Sequence, residues 1–268
     1  MITKYYYIPC KNGQKKDGVQ YGGIEIIKSM NIKDYIQIPY DNRRKRLDEL
    51  KKVYEFIRDN NDSTDKKIIT FGGDHSISIP TILNSVNKYG KDNLFVIWID
   101  AHTDINSPET SPSGNLHGMP LNYVSGITKL NWIKDTIKIE NIFYIGTRSI
   151  DIGEQEIIDK NKINNYSMSY ICKYGVKRVI KNIINKINKL CDNPIIHISF
   201  DVDSISPELI SSTGTPVLNG LSMYDIKYIF KELESKCDVM SIDVCEYNPK
   251  IGDKNKSLKN IKEIISII

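Results

Sequence analysis

Short apolar runs alternating with segments of helical periodicity predict an α/β protein whose mainly parallel sheet is covered by helices on both faces. Runs rich in Ile, Val, Phe and Tyr recur at Tyr5 to Ile8, Ile68 to Phe71, Leu94 to Ile99, Ile142 to Ile145, Ile195 to Phe200 and Val239 to Val244, and read as buried strands. Between them lie amphipathic segments. The clearest runs from Val176 to Cys191, where Val176, Val179, Ile180, Ile183, Ile184, Ile187, Leu190 and Cys191 form one stripe and Lys and Asn fill the other side. The third observation concerns function, because four of the runs end in polar clusters. Ligands of such sheets bind beyond the carboxyl ends of the strands.

The remaining helices follow the same spacing: Leu47, Leu50, Tyr54 and Ile57; Met223, Ile226, Phe230 and Leu233; and Leu258, Ile261, Ile265 and Ile268. No repeat, linker or low-complexity tract interrupts the pattern, so a single domain over 1–268 is expected. The chain has 268 residues, 40% of them apolar, a net charge of +4 and a pI near 8.6. That balance is too mild to argue for nucleic acid. The densest basic run, Arg43-Arg44-Lys45-Arg46, reads as an exposed helix start. Five cysteines without a CxxC pair exclude a disulfide framework and a zinc knot, and read as reduced thiols of a cytoplasmic protein. No leader pattern and no membrane-length apolar run is present, so export and membrane anchoring are not expected.

The polar clusters are Gly72-Gly73-Asp74-His75-Ser76, Asp100-Ala101-His102-Thr103-Asp104, Asp201-Val202-Asp203 and Glu246-Tyr247-Asn248-Pro249. Asp100, His102 and Asp104 stand at i, i+2 and i+4, as Asp201 and Asp203 do at i and i+2; in extended backbone this turns them to one side. With His75 from a third strand, they can close around two cations. A single Asp at a strand end needs no such explanation, but four Asp and two His converging from three strand ends favour a metal site. Oxygen-dominated ligation with a few imidazoles suits Mn2+ or a similar ion such as Co2+, Fe2+ or Ni2+. Two such ions about 3.5 to 4 Å apart acidify a shared water and supply hydroxide near neutral pH.

The runs GGDHS, DAHTDINSPETSPSGNLHG, SFDVD and EYNP, in that order, resemble the ureohydrolases, the family that includes arginase and agmatinase, and most nearly the arginases. The resemblance covers about Ile8 to Pro249 and implies a three-layer αβα sandwich and two Mn2+ per subunit. One ion would be held by His75, Asp100, Asp104 and Asp201, the other by His102 and Asp203, with Asp100 and Asp201 bridging. It further implies His117 as proton shuttle, Asp104 as partner of the hydroxide, and Glu246, placed at the mouth of the site, as partner of the guanidinium. Asn106, Ser113 and Asn115 would receive an α-carboxylate, Asp151 and Glu154 an α-ammonium, and Thr215 would lie near the guanidinium. His197, inside an apolar strand, reads as structural.

The implied reaction is hydrolysis of L-arginine, a small guanidino substrate, to L-ornithine and urea. Its rivals are agmatinase, guanidinobutyrase and formimidoylglutamase, and, from another class, a non-catalytic metal-binding regulatory protein. By the same resemblance a homo-oligomer, trimer or hexamer, is expected. The chain is shorter than typical arginases, which implies that the C-terminal extension some use in subunit contacts is missing. Three positions depart from the family pattern: Ser149, Ser204 and Ser206.

Overall fold

The computed structural model describes residues 3–60 and 66–268. Its elements, in chain order, are β1 (Thr3–Tyr7), α1 (Gly22–Ser29), β2 (Ile36–Gln37), α2 (Arg46–Asp59), β3 (Lys67–Phe71), α3 (Ser78–Tyr89), β4 (Leu94–Ile99), α4 (Pro120–Val124) and β5 (Ile142–Ile145). They continue as α5 (Ile152–Asn161), β6 (Asn164–Tyr166), α6 (Met168–Tyr174), α7 (Val176–Leu190), β7 (Ile195–Asp201), α8 (Met223–Lys236), β8 (Asp238–Cys245) and α9 (Lys254–Ile265). All eight strands form one parallel sheet in the order β2-β1-β3-β8-β7-β4-β5-β6. The six strands expected from sequence are all present. The two additional ones, β2 and β6, lie at the sheet edges and are too short to carry a periodic signal.

Helices cover both faces. On one, α1 and α6 to α9 pack on Ile69, Phe71, Ile97, Ile99, Ile198, Phe200, Ile242 and Val244, all essentially buried. On the other, α2 to α5 pack on Leu94, Val96, Trp98, Ile142 and Tyr144. Strand alternation divides these sets between the faces. A bulge in β8 sets Ile196 opposite Val239 but His197 opposite Ser241; the extra residue, Met240, lets Val239 and Ile242 share the apolar side.

The topology concentrates the motifs. From β3 the chain crosses to β4 and leaves two places that β7 and β8 later fill, so the four motif-bearing strands lie side by side. In-register pairing of Ile99 with Phe200, Phe200 with Val244 and Phe71 with Val244 brings their carboxyl ends level. Asp100, Asp201, Glu246 and the GGDH turn therefore emerge at one rim. The turn fits closely: a Cβ on Gly73 would lie 1.6 Å from the Cys10 carbonyl oxygen, so only glycine is accommodated there. That approach lets the Asp74 N–H donate to Cys10 O at 3.0 Å.

Candidate binuclear metal centre

Each cluster begins where its strand stops, and the side chains are aimed by turns rather than by extended backbone. His75 starts a 3-10 turn capped by the Asp74 carboxylate, which accepts from the Ser76 N–H. Asp203 lies in another such turn, with the Asp201 carboxylate accepting from the Asp203 N–H at 2.7 Å. Asp104 has φ 46° and Glu246 φ 67°, left-handed conformations that cost non-glycine residues energy and persist where the surroundings fix them. The expected comb of extended residues is thus corrected: convergence is achieved after the strand ends, by capped turns.

The expected ligands meet in two overlapping groups. His75 Nδ1 lies 3.0 Å from Asp100 Oδ2, 3.2 Å from Asp104 Oδ2 and 3.4 Å from Asp201 Oδ2. His102 Nδ1 lies 3.4 Å from Asp100 Oδ1 and 3.2 Å from Asp203 Oδ2. Asp100 faces both groups, one oxygen to each. His75, Asp100 and Asp201 form one set able to hold a metal, and Asp100, His102 and Asp203 the other. His75 Nδ1 is buried and forms no proper hydrogen bond, as an atom directed at a cation would be.

The electrostatics agree with this donor set. Burial, then the charges of Asp203 and Asp100, pushes Asp201 well above the usual carboxylate range. Burial, then Asp100, pushes Asp104 up to about 7. Burial opposes a charge on His75, but Cys245 and then Asp100, Asp104 and Asp201 outweigh it and raise the imidazole well above its ordinary value. His102 is raised likewise against burial, chiefly by Asp203 and Asp100. Asp100, which faces both imidazoles, goes the other way: against burial, the hydrogen bonds and charges of His102 and His75 hold it well below the usual carboxylate range. Buried acids whose pKa values are pushed apart in this way beside imidazoles mark a functional site.

Trp98, expected only as a residue of the strand that became β4, fixes two of these groups. Its ring stacks on His75 with centroids 4.0 Å apart, and its Nε1 donates to Asp100 Oδ2 at 3.0 Å.

Beside the metal ligands lies a cavity of about 130 Å3 lined by His102, Asp104, Asn106, Ser111, Ser113, His117, Gly118, Ser149, Asp151, Glu154, Asp201 and Thr215. It joins the ligand groups to five of the six expected substrate residues. Asn115 is not among its lining residues; its backbone N–H instead donates to Ser113 Oγ at 3.2 Å. Glu154 reaches the cavity, but its two oxygens accept the N–H groups of Ile105 at 3.1 Å and Asp151 at 3.0 Å, so it ties two loops together. Asn106 Nδ2 donates to Asp151 Oδ2 at 2.9 Å, and Thr215 Oγ1 to Asp203 Oδ2 at 3.0 Å.

Glu246 departs from its expected place. It is buried rather than at the mouth, because the left-handed backbone turns its side chain inward. Oε1 accepts the His75 N–H at 2.9 Å and lies 3.0 Å from His117 Nδ1; Oε2 accepts Gln14 Nε2 at 2.6 Å. Burial lowers the His117 pKa, but the Glu246 hydrogen bond and charge, with Asp104 and Asp74, raise it to about 9.

Sequence reasoning missed the segment that supplies Gln14. Its neighbour Gly13 donates its N–H to Asp74 Oδ2 at 2.8 Å and accepts the His117 N–H at 3.2 Å, while Lys16 donates to Gly214 O. Arg148 was also missed. Its guanidinium donates to the carbonyls of Gly146, Asp203, Ser204, Val217 and Leu218 at 2.8 to 3.1 Å, clamping the loop that bears Thr215.

The chain is similar to known proteins over nearly its whole length. The Arginase family profile matches residues 10–267. The chain belongs to the arginase family. The arginase of Entamoeba histolytica is 38% identical, over 98% of this chain and 95% of that protein. Its crystal structure, solved in complex with L-ornithine, superimposes with a TM-score of 0.89 at 34% identity, covering 100% of this chain and 99% of that one. The arginase of Staphylococcus aureus is 35% identical over 96% of this chain and 93% of its own. A hypothetical agmatinase from Burkholderia thailandensis shares the fold, with a TM-score of 0.82 at 20% identity over 99% of this chain and 84% of that one.

The chain is therefore a hydrolase of the arginase family with the expected α/β sandwich. The departures from the family pattern are accommodated locally: Ser204 Oγ donates to Asp201 O at 2.7 Å, Ser206 Oγ accepts the Gly220 N–H at 3.1 Å, and Ser149 lines the cavity.

Proposed function

We propose that this chain hydrolyses L-arginine to L-ornithine and urea using two Mn2+ ions, one held by His75, Asp100, Asp104 and Asp201, the other by His102, Asp203, Asp100 and Asp201. The observation that carries this reading is a single cavity lined both by metal-ligand candidates and by the polar residues Asn106, Ser113 and Asp151. The two ions, when bound, supply a water acidified enough to attack at neutral pH. Everything else falls to the side chains.

Glu246 Oε2 takes one hydrogen bond, from Gln14, and retains a lone pair for a guanidinium N–H. Its Oε1 holds His117 by Nδ1, leaving Nε2 to carry a proton to the departing amine. A His117 pKa near 9 keeps that proton in place at neutral pH. Asp104 accepts a hydrogen bond from the attacking water and orients it. Thr215 holds Asp203 beside the guanidinium. Asn106 and Ser113 receive the α-carboxylate, and Asp151 meets the α-ammonium. Glu154 and Asn115 act indirectly: Glu154 ties the loops, and the Asn115 backbone fixes Ser113.

A substrate lacking the α-carboxylate leaves these polar groups unpaired, the means by which such sites reject an analogue. The L-ornithine bound to the Entamoeba protein is the product expected here. The chain works as one domain over 1–268, in a homo-oligomer of the trimer or hexamer kind, in the cytoplasm. No helix among the described residues is long and apolar enough to cross a membrane. The mild net charge supports a partner list without nucleic acid.

The test is to assay urea from Mn2+-loaded protein with arginine and agmatine separately. Arginine should give the larger kcat/KM; faster release from agmatine would overturn the assignment.

A further inference from the structure

Behind His75 the core is polar where a packed core is normally apolar. Ser78, Thr81 and Ser85 stand at i, i+3 and i+7 on α3 and form a buried stripe against the sheet. They meet Ser199 and His197 from β7 and Asp243 from β8, all three 0% exposed. Ser199 and Asp243 are register partners in the sheet. Burying so many polar groups is costly unless each finds a partner.

The bonds run in one direction. Asp243 Oδ2 is approached by three donors: Ser78 Oγ at 3.1 Å, Thr81 Oγ1 at 2.6 Å and His197 Nε2 at 3.0 Å, while His197 Nδ1 lies 2.9 Å from Ser85 Oγ. Ser78 gives its single hydroxyl proton to Asp243, so towards Ser199 Oγ, 2.8 Å away, it can only accept. Ser199 gives its own proton to Ser78 and therefore can only accept from His75 Nε2, 2.9 Å away. The acceptor at the far end thus assigns the proton at the near end. In the neutral ring that ligation requires, His75 therefore keeps its proton on Nε2, and it is the Nδ1 lone pair that faces Asp100, Asp104 and Asp201.

From this geometry we infer that Asp243 is a remote positioning residue for the His75 ligand, acting through Ser78 and Ser199 to fix its tautomer and ring angle. The inference rests on the metal-centre reading above. It separates two groups that otherwise look alike: Ser78 lies on the path from Asp243 to His75, whereas Thr81 donates to the same carboxylate oxygen but leads elsewhere. Neither touches a metal ligand in the hydrogen bonds of this layer. An outer-shell partner of a ligating histidine typically changes metal affinity about 10- to 100-fold when removed.

The experiment is Mn2+ binding to the purified full chain, with free Mn2+ counted by electron paramagnetic resonance, for wild type, Ser78→Ala, Ser78→Thr and Thr81→Ala. Melting temperatures of the metal-free proteins are recorded alongside. Ser78→Ala should weaken the tighter Mn2+ site about tenfold, Ser78→Thr should restore it, and Thr81→Ala should stay near wild type in affinity even where its melting temperature falls. Equal affinity in Ser78→Ala and wild type, or equal loss in Ser78→Ala and Thr81→Ala, overturns the path through Ser78. A wild-type chain that binds no Mn2+ overturns the metal reading itself.

Discussion

The two faces of the central sheet are built from the same strands and follow different rules. Under α1 and α6 to α9, the inward residues of β3, β8, β7 and β4 are Ile69, Phe71, Ile242, Val244, Ile198, Phe200, Ile97 and Ile99, a continuous apolar layer. Under α3, the alternate positions of three of those strands are Thr70, Ser241, Asp243, His197 and Ser199, all buried and polar. Apolar burial contributes about 25 cal/mol per Å2 and tolerates approximate shapes, whereas a buried polar layer stabilises only if its hydrogen bonds close. One face is therefore apolar throughout, whereas the other is apolar over β4 and β5 and polar under α3, where it aims side chains at the rim.

Adjacent residues of β7 test that division most severely. Phe200 points to the apolar face, where its ring meets Phe230 edge-on at 5.5 Å, and Asp201 points to the ligand groups. Phe200→Ala should cost about 3 to 5 kcal/mol of stability in denaturant titrations and leave Mn2+ affinity of the folded fraction unchanged. Asp201→Asn should do the reverse, lowering Mn2+ affinity and urea release by more than the roughly 100-fold ceiling of outer-shell changes. Without metal it should melt above wild type near neutral pH, because burial and the neighbouring Asp203 and Asp100 disfavour its charge. If the two variants lose stability and metal together, the faces are not separable.

A smaller effect sharpens the same contrast through pH. His75 and His102 are raised above their ordinary values by the surrounding acids. In the metal-free protein their stabilising charge is fully present below the unfolded imidazole value of about 6.5 and is lost as pH rises through the raised folded values. Ligation requires the neutral ring, so Mn2+ must displace these protons and bind more tightly as pH rises through neutrality. Calorimetry at pH 7 in two buffers of different ionisation heat should show proton release. Heats that do not depend on the buffer would mean that the imidazoles are already neutral and that the rim is less crowded with negative charge than its geometry implies.

How much of this could be read from the residues depended on the face. The apolar face announced itself, since Ile69 to Phe71, Leu94 to Ile99 and Ile195 to Phe200 are runs that only buried strands explain. The ligands were equally legible, because GGDH, DAHTD and DVD stand directly after those runs. Three features were not. Gln14 meets Glu246 across 232 positions, and no local pattern reports so distant a contact. The burial of Glu246 depends on one left-handed residue, which a motif does not reveal. Ser78, Thr81 and Ser85 look like ordinary polar helix positions until the sheet beneath them is known to present Asp243 and His197.

The smallest effect concerns the cavity wall rather than the sheet, and it asks whether the polar loop discriminates substrates as the polar layer discriminates geometry. Asn106 lines the cavity and holds Asp151, so it touches the groups proposed for both ends of the amino-acid moiety. Asn115 is outside the lining and contributes through its backbone N–H, which any residue but proline supplies. Asn106→Ala should raise KM for arginine about tenfold, the effect of losing about 1.5 kcal/mol from one hydrogen bond to a charged group, and leave KM for agmatine nearly unchanged. Asn115→Ala should change either value by less than about twofold, since the bond it makes to Ser113 survives the substitution. A larger rise for Asn115→Ala than for Asn106→Ala would show that the loop closes on substrate and brings the Asn115 side chain inward, and the carboxylate would then be read by a different wall of the cavity.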